Sequence, residues 1–137
     1  MNKIVFFACV FLTVFLIVIA PLIIRISGTA AYYKIGNDYI PSLSFVIGER
    51  KLSAVDTSRY PMKKTYKYTR IENQQVDIKD YVEYLVNNDD FLILNSSGDE
   101  KIIITKDSTK DGYLIVVSIS ILGKGYMITL EEVKKSI

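Results

Sequence analysis

Hydrophobic residues along this chain follow two different patterns, a continuous apolar run near the N-terminus and an alternation of apolar and polar positions beyond it. Residues 4–24 contain no charged side chain, and Lys3 and Arg25 stand on either side of them. At about 1.5 Å per residue, a helix of this length matches the roughly 30 Å hydrocarbon core of a bilayer. We therefore predict that residues 1–31 form a transmembrane anchor.

A cleaved signal peptide is the competing interpretation of residues 1–31. Small residues in the segment 27–31 fit the site that a signal peptidase reads, and cleavage there would release a secreted domain. The apolar run exceeds the roughly 7–15 residues of a typical signal-peptide core, which favours the anchor. Since only three residues precede the run, we predict a single-pass signal-anchor in the cell membrane, with the C-terminal domain extracytoplasmic.

The rest of the chain is predicted to form a small domain behind a short connection. We expect a juxtamembrane linker at residues 32–40, an α+β domain at 41–131 and a polar tail at 132–137. Tyr32 and Tyr33 follow the apolar run at the depth where aromatic side chains meet lipid headgroups, so we place both rings at the membrane interface.

One main helix is predicted within the domain, at residues 76–88. Asp77 is predicted to cap its N-terminus. The apolar face of this helix consists of Ile78, Tyr81, Val82 and Leu85. Upstream, the segment 41–48 starts with Pro and ends with Gly, which fits either a short helix or part of a longer strand.

Strands account for the other patterned segments. The stretch 62–72 alternates and is rich in Tyr, Thr and Lys, which predicts a strand at or near a sheet edge. Further strands are predicted at 49–55, 91–94, 100–106, 113–121 and 126–130. Short turns between the last four enforce antiparallel neighbours. We therefore predict the α+β class, with an antiparallel sheet of five or six strands and one main helix packed on it in two layers.

Three stretches carry a resemblance to a known protein family: "IPSLSFVIGERKL", the Tyr-Lys-Tyr strand at 66–68 and "YVEYLVNNDDF". They resemble a family of small Gram-positive proteins, membrane-anchored or secreted, with a short exported α+β domain. The resemblance covers residues 40–131. Because that family has no assigned activity, the resemblance implies export and a helix-on-sheet fold, and it implies no catalytic residue.

Charge is segregated within a domain that is neutral as a whole. Residues 32–137 hold fifteen Lys and Arg and fifteen Asp and Glu, so the net positive charge of the chain comes from Lys3 and Arg25. Residues 50–70 hold seven bases and one acid, whereas residues 77–111 hold nine acids and four bases. Two interpretations stay open: the two segments pair across the fold, or the basic one attracts an anionic partner.

The sequence carries little that fits catalysis or metal binding. There is no His, and the one Cys, Cys9, lies within the apolar run, so the domain lacks the usual general base and soft metal ligands. The loop at 107–118 matches a calcium loop in part, but it has Ser118 where a bidentate Glu is required. We predict no catalytic activity, no cofactor and no metal site.

A candidate interaction surface is predicted where basic and aromatic side chains alternate. Tyr rings stack on sugars and bases, and Lys and Arg hold phosphates. The predicted surface consists of Arg59, Lys63, Lys64, Tyr66, Lys67, Tyr68 and Arg70. For an exported domain the fitting partners are lipid headgroups of the membrane, an anionic envelope polymer or another envelope protein, and nucleic acid is not expected. The structural alternative is an edge strand whose lysines only prevent aggregation.

The function predicted from the sequence is that of a membrane-anchored, extracytoplasmic interaction module without catalytic activity. The first alternative is a small accessory subunit of a membrane protein complex, which assembles through its transmembrane helix. The second alternative is a domain that is secreted after signal cleavage.

Overall fold

The chain divides into two compact units, residues 1–30 and residues 31–137. The structure is a computed structural model, and the residues it describes are 2–26, 31–59, 61–97 and 100–136.

The first unit holds one helix, α1, which spans Lys3–Ile26. Within it, the described side chains are those of residues 3–15 and 17, and all of them are exposed. Thr13 Oγ1 donates a hydrogen bond of 2.8 Å to the carbonyl oxygen of Cys9, which satisfies its hydroxyl inside an apolar run. When only the described residues are considered, no helix combines the length and the apolar character needed to cross a membrane.

The second unit is an α+β fold built on one large sheet. Its described elements are β1 (Tyr32–Ile35), β2 (Asp38–Pro41), α2 (Leu43–Ile47), β3 (Leu52–Arg59), β4 (Met62–Tyr68), α3 (Gln74–Asn88), β5 (Leu92–Ser97), β6 (Lys101–Asp107), β7 (Tyr113–Leu122) and β8 (Gly125–Lys134). Six strands form the sheet in the order β3-β4-β8-β7-β6-β5, and every neighbouring pair is antiparallel. For this unit the predicted α+β class is confirmed, and the antiparallel sheet, predicted with five or six strands, has six.

The hydrophobic core lies on one face of the sheet, called here the inner face. In β7, the side chains of Ile115, Val117 and Ile119 are buried on the inner face, whereas Val116 and Ser118 are half-buried on the opposite, outer face. The helix α3 buries its predicted apolar face in the same core, through Ile78, Tyr81, Val82 and Leu85. The two predicted periodicities are confirmed.

The structure differs from the prediction at residues 32–40, where a hairpin of β1 and β2 stands in place of a linker. Alternation along the hairpin buries Tyr33, Ile35 and Ile40 in the core. The ring of Tyr32 points away from the core and is exposed. Of the two tyrosines predicted at a membrane interface, only Tyr32 is therefore on the surface.

The segment 41–48 adopts the short-helix alternative. Ser42 Oγ accepts a hydrogen bond of 3.2 Å from the backbone N–H of Phe45, so Ser42 is the N-cap of α2. Gly48 ends the helix with a φ of 96°, a conformation that favours glycine.

The helix α3 begins two residues before the predicted start, because Asn73 caps it. Asn73 Oδ1 accepts a hydrogen bond of 3.2 Å from the backbone N–H of Val76. Asp77 lies inside the helix and its side chain is buried, so the prediction that Asp77 is the N-cap is wrong.

The last strand extends past the predicted end of the domain at residue 131. Glu132 lies opposite Ile115 and Lys134 lies opposite Tyr113, so β8 includes half of the predicted polar tail at 132–137. The tight turn between β7 and β8 sets the register of the two strands, and β8 stays paired with β7 as far as Lys134.

Candidate functional site

The predicted interaction surface lies on the hairpin of β3 and β4, at one edge of the sheet. With its flanking residues, 50–70, this element is called here the basic hairpin. All eight residues of β3 are exposed, and β3 contacts the sheet only through β4 on one side in the described part of the chain. The predicted near-edge position of the strand at 62–72 is confirmed, since β4 is second from the edge.

Strand alternation divides the predicted surface between the two faces of the sheet. Lys63 and Lys67 lie opposite Glu131 and Met127 on the outer face. Lys64, Tyr66 and Tyr68 belong to the inner face, since Tyr66 and Tyr68 pair with the buried Ile128 and Tyr126. The predicted residues therefore lie on two faces of the sheet, because a period of two places neighbouring residues on opposite faces.

The two tyrosines of β4 are part of the core. Tyr68 is 6% exposed, and its hydroxyl lies 2.5 Å from that of Tyr33. The Tyr33 hydroxyl also accepts a hydrogen bond from the backbone N–H of Leu43, and the ring of Tyr66 stacks on Tyr33 at 4.2 Å. Burial raises the pKa of Tyr33 well above its ordinary value and raises the pKa of Tyr66 and Tyr68 as well. These neutral phenols hold β1 against the sheet.

The cations of the basic hairpin are mostly without acidic partners. Lys67 Nζ lies 3.6 Å from Asp56 Oδ2, a pair between exposed groups that contributes little. Arg50 pairs with Asp77. In the described part of the chain no ion pair forms for the other five bases, which are Lys51, Arg59, Lys63, Lys64 and Arg70. Among the described residues, the basic and acidic segments thus pair across the fold at one point.

That point is a hydrogen-bonded cluster around the buried carboxylate of Asp77. Arg50 donates two hydrogen bonds to it, from Nε at 2.7 Å and from Nη2 at 3.0 Å. The hydroxyl of Tyr126 donates a third, at 2.9 Å. The hydrogen bond to Asp77 raises the pKa of Arg50, and burial, followed by the bond to Asp77, raises the pKa of Tyr126. The cluster joins the start of the basic hairpin to α3 and β8.

A charged cleft of about 380 Å³ opens at the base of the basic hairpin, next to this cluster. Arg50, Lys51 and Arg70 line it together with Glu49 and Glu72. Arg70 holds a φ of 56°, which is uncommon for a residue with a side chain. With bases and acids in similar number, the cleft attracts neither sign of charge strongly.

In the acidic segment, residues 77–111, two further carboxylates form ion pairs with lysines that lie outside the basic hairpin. Asp89 Oδ2 lies 2.9 Å from Lys106 Nζ, and Asp107 Oδ1 lies 2.8 Å from Lys135 Nζ. Asp38, which sequence reasoning missed, is buried and accepts a hydrogen bond of 2.6 Å from Ser108 Oγ. Among the described residues, no group of three or more metal-ligating side chains is found.

A second exposed surface is formed by side chains of β1, β2 and α2 that point away from the core. Tyr32 stacks on Phe45 with ring centroids 5.8 Å apart, and the Nζ of Lys34 lies 5.7 Å from the ring centre of Tyr39. The three aromatic rings are each about half exposed. Sequence reasoning found only Tyr32, because the hairpin that brings Tyr39 beside Lys34 was not recognised.

Comparisons of the chain with protein families, with curated proteins and with solved structures find no match. The resemblance to the Gram-positive family accordingly stays a prediction.

Proposed function

We propose that this protein is a membrane-anchored, extracytoplasmic interaction module without catalytic activity, which contacts phosphate-bearing anions through its basic hairpin. The observation that carries the proposal is a set of five bases that form no ion pair with any described residue, on a domain of zero net charge. Such a cluster attracts a polyanion, because its field is not cancelled within the fold. The edge position leaves all eight residues of β3 exposed, and Lys63 at the start of β4 is exposed as well.

Anchoring is supported by the uncharged run at residues 4–24 and by the exposure of its described side chains. Ile4, Phe7, Phe11 and Ile17 each expose most of their surface on α1. A helix that exposes apolar residues all round is unfavourable in water and favourable in lipid.

The aromatic and basic surface beside α2 supports the same location. Tyr32 follows the apolar run closely in the sequence. Exposed Tyr, Phe and Lys side chains are typical of the headgroup region. Tyr32, Lys34, Tyr39 and Phe45 provide this combination.

Neutralising the tip of the basic hairpin is expected to weaken anion binding about thirtyfold. Each base near an anionic surface contributes about 1 kcal/mol, so replacing Lys63 and Lys64 with Gln removes about 2 kcal/mol. The measurement is a titration of the full chain, held in zwitterionic nanodiscs, with phosphatidylglycerol vesicles and, separately, with soluble poly(glycerol phosphate). The two arms distinguish a lipid headgroup from a wall polymer as the source of the phosphates.

The matched control removes the same charge elsewhere. Replacing Lys101 and Lys134 with Gln changes two exposed bases that lie outside the basic hairpin, and we expect no more than a threefold effect. Equal affinity of the wild type and the Lys63/Lys64 variant in both arms would contradict the proposal.

A further inference from the structure

The strand β5 forms the other edge of the sheet and exposes three consecutive large apolar side chains. Leu92, Ile93 and Leu94 are 70%, 58% and 66% exposed. In the described part of the chain β5 has a neighbouring strand only on the side of β6. Exposed apolar residues on an edge strand invite pairing with another chain, because a further strand can extend the ladder at an edge.

The two edges of the sheet are built differently. The edge strand β3 carries Asp56 and Arg59, and its partner β4 carries further lysines. The described residues of β5 include neither a charge nor Pro, and its one irregularity is a shift of register between Ile93 and Asn95. Charges on an edge prevent association, so β3 is guarded against pairing and β5 is open to it.

An apolar groove of about 570 Å³ runs beside β5, between this edge and α3. Val82 and Val86 of α3 line one wall, and Ile93 of β5 and Ile102 of β6 line the other. The α3 residues that border the groove extend from Gln75 to Asn87. The groove therefore offers apolar side chains of a pairing strand a place to pack.

We propose that β5 pairs with β5 of a second copy of this chain, about a two-fold axis that joins the two sheets edge to edge. Identical strands related by such an axis are necessarily antiparallel, which continues the pattern of the whole sheet. The interface is isologous, so each surface must be complementary to itself. An uncharged strand meets this condition, because two copies approach without repulsion.

The border of the groove on α3 is also complementary to itself. When α3 is placed antiparallel to its copy, with the two-fold axis at the height of residue 81 and on the side of the helix that carries Lys79 and Glu83, Lys79 lies opposite Glu83 of the second copy. The same operation places Val76 opposite Val86 and Gln75 opposite Asn87. Six of the eight α3 residues that line the groove thus match, charge against opposite charge and like against like, and the other two, Ile78 and Val82, are buried in the core of their own domain. This match favours a second copy over an unrelated partner as the occupant.

Dimerisation through β5 goes beyond the proposed function and does not depend on it, because β5 and the basic hairpin occupy opposite edges of the sheet. A dimer carries two basic hairpins at its two ends. Two linked binding sites raise the apparent affinity for an extended polyanion without any new contact.

The test is the dimer dissociation constant of the full chain in detergent micelles, measured by analytical ultracentrifugation. Lys79→Glu alone and Glu83→Lys alone each oppose like charges across the axis, and each is expected to weaken the dimer at least tenfold. The double variant restores opposite charges and is expected to return the constant to within threefold of the wild type. Both positions are exposed on α3, so the fold is retained and circular dichroism checks it.

A second variant tests the strand itself. Leu94→Lys brings two ammonium groups together at the seam and is expected to abolish the dimer, whereas Val55→Lys on the opposite edge is expected to leave it intact. A monomeric wild type, a dimer that survives Leu94→Lys, or a double charge swap that fails to restore association overturns the proposal. A photo-crosslinker at Leu94 that captures a different protein in cells, and not a second copy, also overturns it.

Discussion

Replacing Asp77 with Ala is expected to lower the free energy of unfolding by about 3 kcal/mol. The substitution leaves the guanidinium of Arg50 and the hydroxyl of Tyr126 without their common acceptor. Removing one partner of a buried ion pair costs about 3–5 kcal/mol, and the partial exposure of Arg50 places this case at the lower end. Denaturant unfolding of the full chain in mild detergent, followed by circular dichroism, measures the change.

Two variants make the Asp77 result specific. Asp77→Asn keeps the shape of the side chain and one acceptor oxygen, so a smaller loss is expected. Asp80→Ala removes an exposed carboxylate one turn further along α3 and is expected to have no measurable effect. Equal stability of Asp77→Ala and Asp80→Ala would show that the cluster around Asp77 does not hold the fold together.

Replacing Gly125 with Ala is expected to cost about 3 kcal/mol, for a reason that involves no side-chain contact in the wild type. A Cβ on Gly125 would overlap the carbonyl oxygen of Tyr68 and would lie 3.0 Å from Cα of Thr69. Both are backbone atoms, so β4 and β8 must separate locally to admit a methyl group. Overpacking at a rigid site costs about 1–3 kcal/mol, and a backbone obstacle belongs at the top of that range.

Gly123 provides the matched control for Gly125 in the same turn. It has a φ of 56°, and no heavy atom lies within 4 Å of the position that a Cβ would take. Gly123→Ala therefore carries only the strain of the left-handed backbone, about 1 kcal/mol. The same unfolding experiment compares the two variants. An equal cost for both substitutions would contradict the close approach of β8 to β4.

Local periodicity was sufficient to predict the framework of the domain. The spacing of Ile78, Tyr81, Val82 and Leu85 identified α3, and the alternation in β7 identified the buried face of the sheet. These patterns are reliable because one face of each element must be apolar to form the core. The short turns that connect β5, β6, β7 and β8 in sequence then predicted that these four strands are antiparallel neighbours.

Features that depend on tertiary contacts could not be predicted from the sequence. Asp77 has the residue type of an N-cap, but a long-range bond to Arg50 stabilises it one turn inside α3, and Asn73 takes the cap. The hairpin at 32–41 was mistaken for a linker, because Tyr33 and Ile35 gain a hydrophobic environment only once the rest of the domain is present.

The candidate site shows the same division between local and distant information. The charge of the basic hairpin was evident from residues 50–70, whereas the burial of Tyr68 depends on Tyr33, which is distant in sequence. Which cations lack a partner depends on where the acidic segment folds. The exposure of β5 likewise follows from the strand order, since the sequence of an apolar strand is the same at an edge and in the interior of a sheet.

The central claim, an anchored chain whose domain faces outward, is tested most directly by one measurement on cells of a Gram-positive host that express the protein with a C-terminal tag. Intact cells are treated with protease, the membrane fraction is isolated from untreated cells, and the intact mass of the protein is determined. The account predicts full-length protein in the membrane fraction and loss of the tag on protease treatment. A mass that lacks the segment before Tyr32 would show a secreted domain, and a protected tag on full-length protein would place the domain inside the cell; either result contradicts the claim.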